Sequence, residues 1–275
     1  MSKVWFITGA SKGLGLTLVT LLLEMGHKVA ATSRNKQQLL DAVGAQSEQF
    51  LPLAVDLTNE TAIEQSLADA HKHFGKLDVI VNNAGYGVGG AIEELSTQEI
   101  YDSLNINLLA TVHVTRFALP YLRSQRSGHI INISSIAGFS STTGWSMYSA
   151  SKYAVIGLTE GLAQDVKELG IWATVVAPGA FRTEFLTAGS LVIAGKRIAD
   201  YTGVHANQER YQQMDRHQIG DPLKAAQVMV AITELPEPPV VLFLGSDAYT
   251  RAAKKIEDQK ISLEKYKDTS FSTDY

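Results

Sequence analysis

The chain contains no cysteine. That absence excludes a disulfide framework and any thiolate-ligated metal. Histidine is sparse, and the seven residues are scattered. His71 and His73 stand two apart, which puts them on different sides of a helix, and no HExxH pair occurs. No metal site is expected. A G-x-S-x-G elbow is also missing, which disfavours a hydrolase. Neither charge sign dominates: 24 basic and 28 acidic residues leave a net charge of -4. No basic stripe stands out, so a nucleic-acid partner is not expected. The longest apolar runs fall well short of the ~20 residues that a membrane span requires, so no membrane partner is expected either. There is no internal repeat, and no Pro/Gly/Ser-rich linker divides the 275 residues. The opening MSKVWFITG enters an apolar run directly, without the charged and apolar regions of a cleavable leader. The expectation is one domain over 1–275 in a reducing, cytoplasmic setting.

What the chain does have is a rhythm. Short apolar runs begin near Val4, Val29, Phe50, Val79, His129, Trp172 and Val240. Longer segments of helical period separate them, notably Leu14 to Met25, Thr61 to Phe74, Gln98 to Tyr121 and Tyr148 to Leu169. Strands that read as continuous apolar runs between helices predict a parallel sheet covered on both faces. The fold class expected is therefore α/β, a single Rossmann-type domain with a doubly wound parallel sheet of about seven strands. Two regions break the rhythm. Residues 183–220 show no clear strand signal and are too long for a simple connection, so they read as a substrate-binding loop region. Residues 246–275 form a C-terminal extension. There Tyr249, Ala252, Ile256, Leu263 and Tyr266 fall near helical spacing, which suggests a terminal helix docked on its own domain.

The first strand runs into Thr8-Gly9-Ala10-Ser11-Lys12-Gly13-Leu14-Gly15. Glycines between a strand and a helix permit a tight turn and close approach of backbone to a pyrophosphate. The helix start then offers free N–H groups and a positive dipole end to that anion. The end of the second strand helps to choose the dinucleotide. An acid there would hold the ribose 2′-OH of NAD, but this chain has Ser33-Arg34. Arg34 could pair with a 2′-phosphate and Lys12 could add a second positive charge. NADP(H) is accordingly expected in preference to NAD(H). Asp56-Leu57 ends the third strand, where Asp56 could accept from an adenine amino group or cap the following helix, a place that Asn59 or Thr58 would fill as well.

The stretch MYSASKY places Tyr148 and Lys152 four residues apart, on one face of a helix. A free phenol titrates near pH 10, too high for proton exchange at neutrality, and a nearby ammonium favours its ionised form. Ser149, Ala150 and Ser151 are small and leave the helix approachable.

Taken in order, TGASKGLG at Thr8, VDLT at Val55, NNAG at Asn82, NINLLAT around Asn107, NISSIAG at Asn132, YSASK at Tyr148 and APG at Ala177 resemble the short-chain dehydrogenase/reductase family over nearly the whole length. PGAFRTEFL also looks like the branch of hydroxysteroid dehydrogenases and carbonyl reductases. The resemblance implies a tetrad. Tyr148 would be the general acid in ketone reduction and the base in alcohol oxidation. Lys152 would bind the nicotinamide ribose and lower the Tyr148 pKa. Ser135 would hold the substrate oxygen, and Asn107 would shape the helix and anchor a water. It also implies cofactor contacts from Gly9, Ser11, Lys12, Gly13, Leu14, Gly15, Ser33, Arg34, Asp56 and Leu57. Asn83, Ala84, Gly85, Tyr148, Lys152, Pro178, Gly179 and Thr183 complete that set.

On the substrate side, Phe139, Trp145, Phe185, Leu186 and Tyr201 are candidate apolar liners beside Ser135 and Tyr148. The mix suggests a bulky, mostly apolar ketone or secondary alcohol as the small-molecule substrate. The leading expectation is an NADPH-dependent carbonyl reductase, reversible as an alcohol dehydrogenase. A 3-oxoacyl-thioester reductase and a non-catalytic NADP(H)-sensing protein are the alternatives. The resemblance leaves a homodimer or a homotetramer open.

Overall fold

Strand β1 (Val4–Ile7) shows why the sheet lies at the centre. Its four apolar residues are all buried, Trp5 and Ile7 in the core of one face and Val4 and Phe6 in that of the other. A strand with no polar face requires cover on both sides. In this computed structural model, which describes residues 2–44 and 47–275, the cover is helical. The chain continues through α1 (Gly13–Glu24), β2 (Lys28–Ser33), α2 (Lys36–Val43), β3 (Phe50–Ala54), α3 (Glu60–Phe74), β4 (Val79–Asn82) and β5 (Gly87–Gly89). Next come α4 (Thr97–Leu104), α5 (Ala110–Gln125), β6 (Gly128–Ile133), α6 (Ser146–Val166) and β7 (Ile171–Pro178). The last elements are β8 (Leu191–Ile193), α7 (Thr202–Gln213), α8 (Pro222–Ile232), β9 (Val241–Leu244), α9 (Ser246–Lys265) and α10 (Lys267–Phe271).

The seven-stranded sheet has the order β3-β2-β1-β4-β6-β7-β9, and its neighbouring strands pair in parallel. The chain winds outward in one direction from β1 and in the other from β4. Their carboxyl ends therefore flank the switch point where such sheets bind ligands. Inside the sheet, Asn82 donates to Asn132 (2.8 Å) and Thr115 (3.1 Å), and Asn132 donates to Thr159 (2.9 Å). This buried ladder pins the register of β4 and β6 beneath the site.

Three expectations need correction. The segment from Gln98 to Tyr121 is helical, but α4 and α5 join through a wide π-type turn at Asn105–Leu109. Residues 183–220 are not merely irregular. They contain α7 and the short strand β8, which pairs in parallel with β5. Three-residue strands such as Gly87-Val88-Gly89 are too short to show a period. The tail is helical, but its docking is confined to the first turns. Ala248 and Ala252 are buried, whereas Tyr249, Ile256, Leu263 and Tyr266 are 71%, 53%, 73% and 52% exposed.

Candidate active site

Above the switch point lies a cavity of about 920 Å³. Its floor begins with the glycine loop. Gly9 and Gly13 have φ of 65° and 58°, in the left-handed region where a side chain is strained. A Cβ on Gly9 would stand 2.7 Å from the Ala84 backbone. Gly15 does not reach the cavity. It packs on Asn83, whose Nδ2 lies 2.4 Å from where a Cβ would be. Asn83 donates to the carbonyls of Thr8 and Gly9, each at 2.9 Å, and so laces the end of β4 to the loop. The first turn of α1 carries no side-chain cap. Its leading N–H groups, facing a space lined by Gly9, Ser11, Lys12, Gly13 and Leu14, suit a dinucleotide pyrophosphate.

Ser33, Arg34, Asp56 and Leu57 line the same cavity, as do Asn83, Ala84, Gly85, Pro178, Gly179 and Thr183. Several carry local duties as well. The Ser33 hydroxyl closes a turn with Asn35 (2.7 Å). Asp56 accepts from the backbone and hydroxyl of Thr58 (2.9 and 2.8 Å), and Asn59 caps α3. Lys12 donates to the Gly189 carbonyl (2.7 Å), which ties the glycine loop to the segment before β8. Arg34 is exposed at the cavity rim.

At the other end, helix α6 presents Tyr148 and Lys152 one turn apart, both buried. Lys152 Nζ donates to the Ile133 carbonyl (2.9 Å) and lies 6.0 Å from the centre of the Tyr148 ring. Burial lowers its pKa from 10.5 to about 8. The Tyr148 phenol moves the other way. Burial raises its pKa, offset in part by a hydrogen bond with Ser135 and reinforced by Tyr211. In the protein alone the phenol therefore lies above its ordinary value, opposite to the lowering expected from the spacing, with desolvation the largest cause. Ser135 reaches the cavity at the end of β6 and accepts from Ala137 N (3.1 Å). Its neighbour Ser134 donates to the Lys152 carbonyl (2.8 Å) and holds α6 against β6.

Asn107 sits behind this group rather than in it. It is fully buried in the π-type turn. Its Oδ1 accepts from Tyr86 N (2.9 Å), and its Nδ2 donates to Tyr86 O (3.0 Å). A Cβ on Gly85 would lie 3.0 Å from both Asn107 Oδ1 and Lys152 Nζ. The bare glycine lets these two groups approach the turn after β4.

Trp145, Phe185 and Leu186 line the cavity around Tyr148, with ring centres 5.6 Å (Trp145) and 5.8 Å (Phe185) from it. Phe139 and Tyr201 do not. Phe139 packs against Phe243 with tilted rings, centres 5.0 Å apart, beneath α9. The Tyr201 hydroxyl donates to Glu93 (2.9 Å) on the outer side. Tyr211 and Met214 from α7 and its end, together with Asp247 and Arg251 from α9, complete the wall. They lie far along the chain from the motifs and carry no local signature. Behind the wall, a buried carboxylate joins α7 to the body. Glu94 accepts from His205 (2.6 Å), Ile198 N (2.8 Å) and Ala91 N (3.0 Å).

Among the described residues, no group of three His, Cys, Asp or Glu side chains could hold a metal. Likewise, no helix is long and apolar enough to cross a membrane.

The model of the short chain dehydrogenase family matches residues 3–190. Oxidoreductase BOA17 of Botryotinia fuckeliana is 36% identical, over 99% of this chain and 100% of that protein. The 3-ketodihydrosphingosine reductase of Bacteroides thetaiotaomicron is 39% identical over 66% of this chain and 65% of that protein. A crystal structure of a short-chain dehydrogenase from Streptomyces avermitilis superposes with a TM-score of 0.92 at 33% identity, covering 100% of both chains. ElxO with NADP bound superposes at 0.74 with 27% identity, over 91% of this chain and 100% of that one. With the glycine loop, the parallel sheet and the Tyr148–Lys152 helix all in place, the chain belongs to the short-chain dehydrogenase family of oxidoreductases.

Proposed function

We propose that this oxidoreductase is an NADPH-dependent carbonyl reductase, reversible as a secondary-alcohol dehydrogenase, for bulky and mostly apolar ketones. One observation carries the reading: Tyr148, Ser135 and Lys152 converge in the same cavity that the glycine loop opens into. When bound, the nicotinamide supplies or accepts the hydride. The residues do the rest. Ser135 aims a hydroxyl at the oxygen on which negative charge develops. Tyr148 gives that oxygen a proton. The phenol is protonated at neutrality, the form a general acid needs, although burial makes it a weaker acid than a free tyrosine. Lys152 stays largely charged near pH 7, since its pKa is about 8, and so stabilises the phenolate left behind. Asn107 fixes the turn that carries Tyr86.

Arg34 at the rim, with no acid at the end of β2, supports NADP(H) over NAD(H). Trp145, Phe185, Leu186 and Tyr211 make an aromatic and aliphatic wall, which supports an apolar substrate within the hydroxysteroid dehydrogenase and carbonyl reductase branch. The relative that is a 3-ketodihydrosphingosine reductase supports reduction of a ketone.

The test is a titration with NADPH and NADH, followed by absorbance decay across aryl and alicyclic ketones, charged keto acids and one acyl thioester. The proposal expects tighter NADPH binding and decay with the apolar ketones. Turnover of the thioester alone would replace it with a 3-oxoacyl-thioester reductase. NADPH binding without any decay would replace it with a sensing role.

A further inference from the structure

The matched family region ends at residue 190, yet the cavity wall continues into α9. Three residues of that helix, each one turn from the next, grip three different pieces of the site. Asp247 Oδ2 accepts from Ala180 N (2.8 Å), in the loop that follows β7. Arg251 donates to the Ser140 carbonyl, in the loop that follows β6 and carries Ser135. Lys255 bonds the hydroxyl of Tyr153, the residue after Lys152 on α6. Asp247 and Arg251 also line the cavity themselves.

The surroundings of Asp247 are fitted to the shape of its side chain, and its buried Oδ1 has no hydrogen-bond partner among the described residues. A Cβ on Gly179 would stand 2.1 Å from its Oδ1, and one on Gly245 would stand 2.7 Å away. Both neighbours must be bare for the side chain to lie where it does. An acid in the first turn of a helix is further favoured by the dipole and the free N–H groups there. The loop it holds is Pro178-Gly179-Ala180. Gly179 N is tied to Leu244 O (2.8 Å), and Gly220 N to Ala180 O (2.9 Å). Asp247 therefore makes a side-chain bond in a junction where β7, β9, α9 and the end of the 183–220 segment meet.

We propose that α9 is a clamp on the active site, with Asp247 and Arg251 as positioning residues. Asp247 fixes the loop 178–180 that borders the nicotinamide end of the cofactor site, and Arg251 fixes the loop that presents Ser135. The C-terminal extension is thus part of the machinery rather than an appendage. This rests on the cofactor reading above, and its test separates the two.

Full-length Asp247→Ala, Asp247→Asn and Gly179→Ala are compared by NADPH fluorescence titration and by amide hydrogen exchange of the segment around Ala180. Asp247→Ala is expected to bind NADPH about tenfold more weakly, the worth of one charge-assisted hydrogen bond. Exchange at Ala180 should accelerate. Asp247→Asn, which keeps an acceptor, should restore most of both. Gly179→Ala pushes the carboxylate away from the opposite side and should reproduce the Asp247→Ala exchange pattern. It serves if Asp247→Ala does not fold. Unchanged exchange at Ala180 in Asp247→Ala or in Gly179→Ala overturns the clamp, as does unchanged NADPH affinity in Asp247→Ala. A wild-type chain that binds no NADPH ends the cofactor reading, and the exchange measurement still decides the clamp.

Discussion

Replacing Lys152 with methionine should make the protein more stable and less useful. Lys152 is 4% exposed and has no acidic partner among its contacts. Its pKa falls from 10.5 to about 8 because burial penalises the ammonium. A depression of roughly 2.5 units corresponds to about 3 kcal/mol of destabilisation while the group is charged in both folded and unfolded states. Methionine removes that penalty and keeps most of the apolar stem. It also leaves the Ile133 carbonyl without its donor, at a cost of about 1–2 kcal/mol. The net expectation near pH 7 is a gain of about 1–2 kcal/mol in urea unfolding. The sign follows from linkage. Between about pH 8 and pH 10.5 the unfolded chain binds the Lys152 proton and the folded chain does not, so wild-type stability gains from this residue as pH rises. The advantage of Lys152→Met should therefore shrink by about 2 kcal/mol between roughly pH 7 and pH 9.5. A variant less stable than wild type near pH 7, or a gap indifferent to pH, would refute the reasoning.

Three further outcomes follow from the same geometry. Arg34→Asp should weaken NADPH binding by about tenfold or more and move the preference toward NADH, read by parallel titrations. Asn107→Ala strips both backbone groups of Tyr86 of their partner and should lower stability by about 2–4 kcal/mol in denaturant melts. Glu94→Gln breaks a buried pair with His205 and should cost about 3–5 kcal/mol. Its pH signature is specific. Burial pushes the Glu94 carboxyl up, but donors from Ile198, Ala91 and His205 outweigh it and hold the pKa at about 2. That stability is fully present above about pH 4.5 and is lost as pH falls toward 2. The acid limb of the stability curve should flatten in Glu94→Gln.

The parallel sheet was legible because a strand such as VWFI has no polar face, and only a sheet covered on both sides accommodates it. The cofactor end was legible for a related reason. Turns such as Gly9 and Gly13 need positive φ, and that need shows as glycine in the sequence. The substrate end was much less so. Phe139 and Trp145 look equally suitable on paper, yet one packs against Phe243 and the other faces Tyr148. What separates them is the direction of a loop after β6, set by contacts with α9 more than a hundred residues away. Tyr201 differs for a similar reason, since its hydroxyl donates to the Glu93 carboxylate on the outer side. The direction of the Tyr148 shift was also hidden, because spacing shows a neighbouring ammonium but not how completely water is excluded.

The proposed delivery of the proton by Tyr148 during ketone reduction is tested by comparing wild type with Tyr148→Phe at saturating NADPH and an apolar ketone. NADPH affinity should stay within about twofold and turnover should fall by about 10²–10⁴. Turnover that survives in Tyr148→Phe would contradict it.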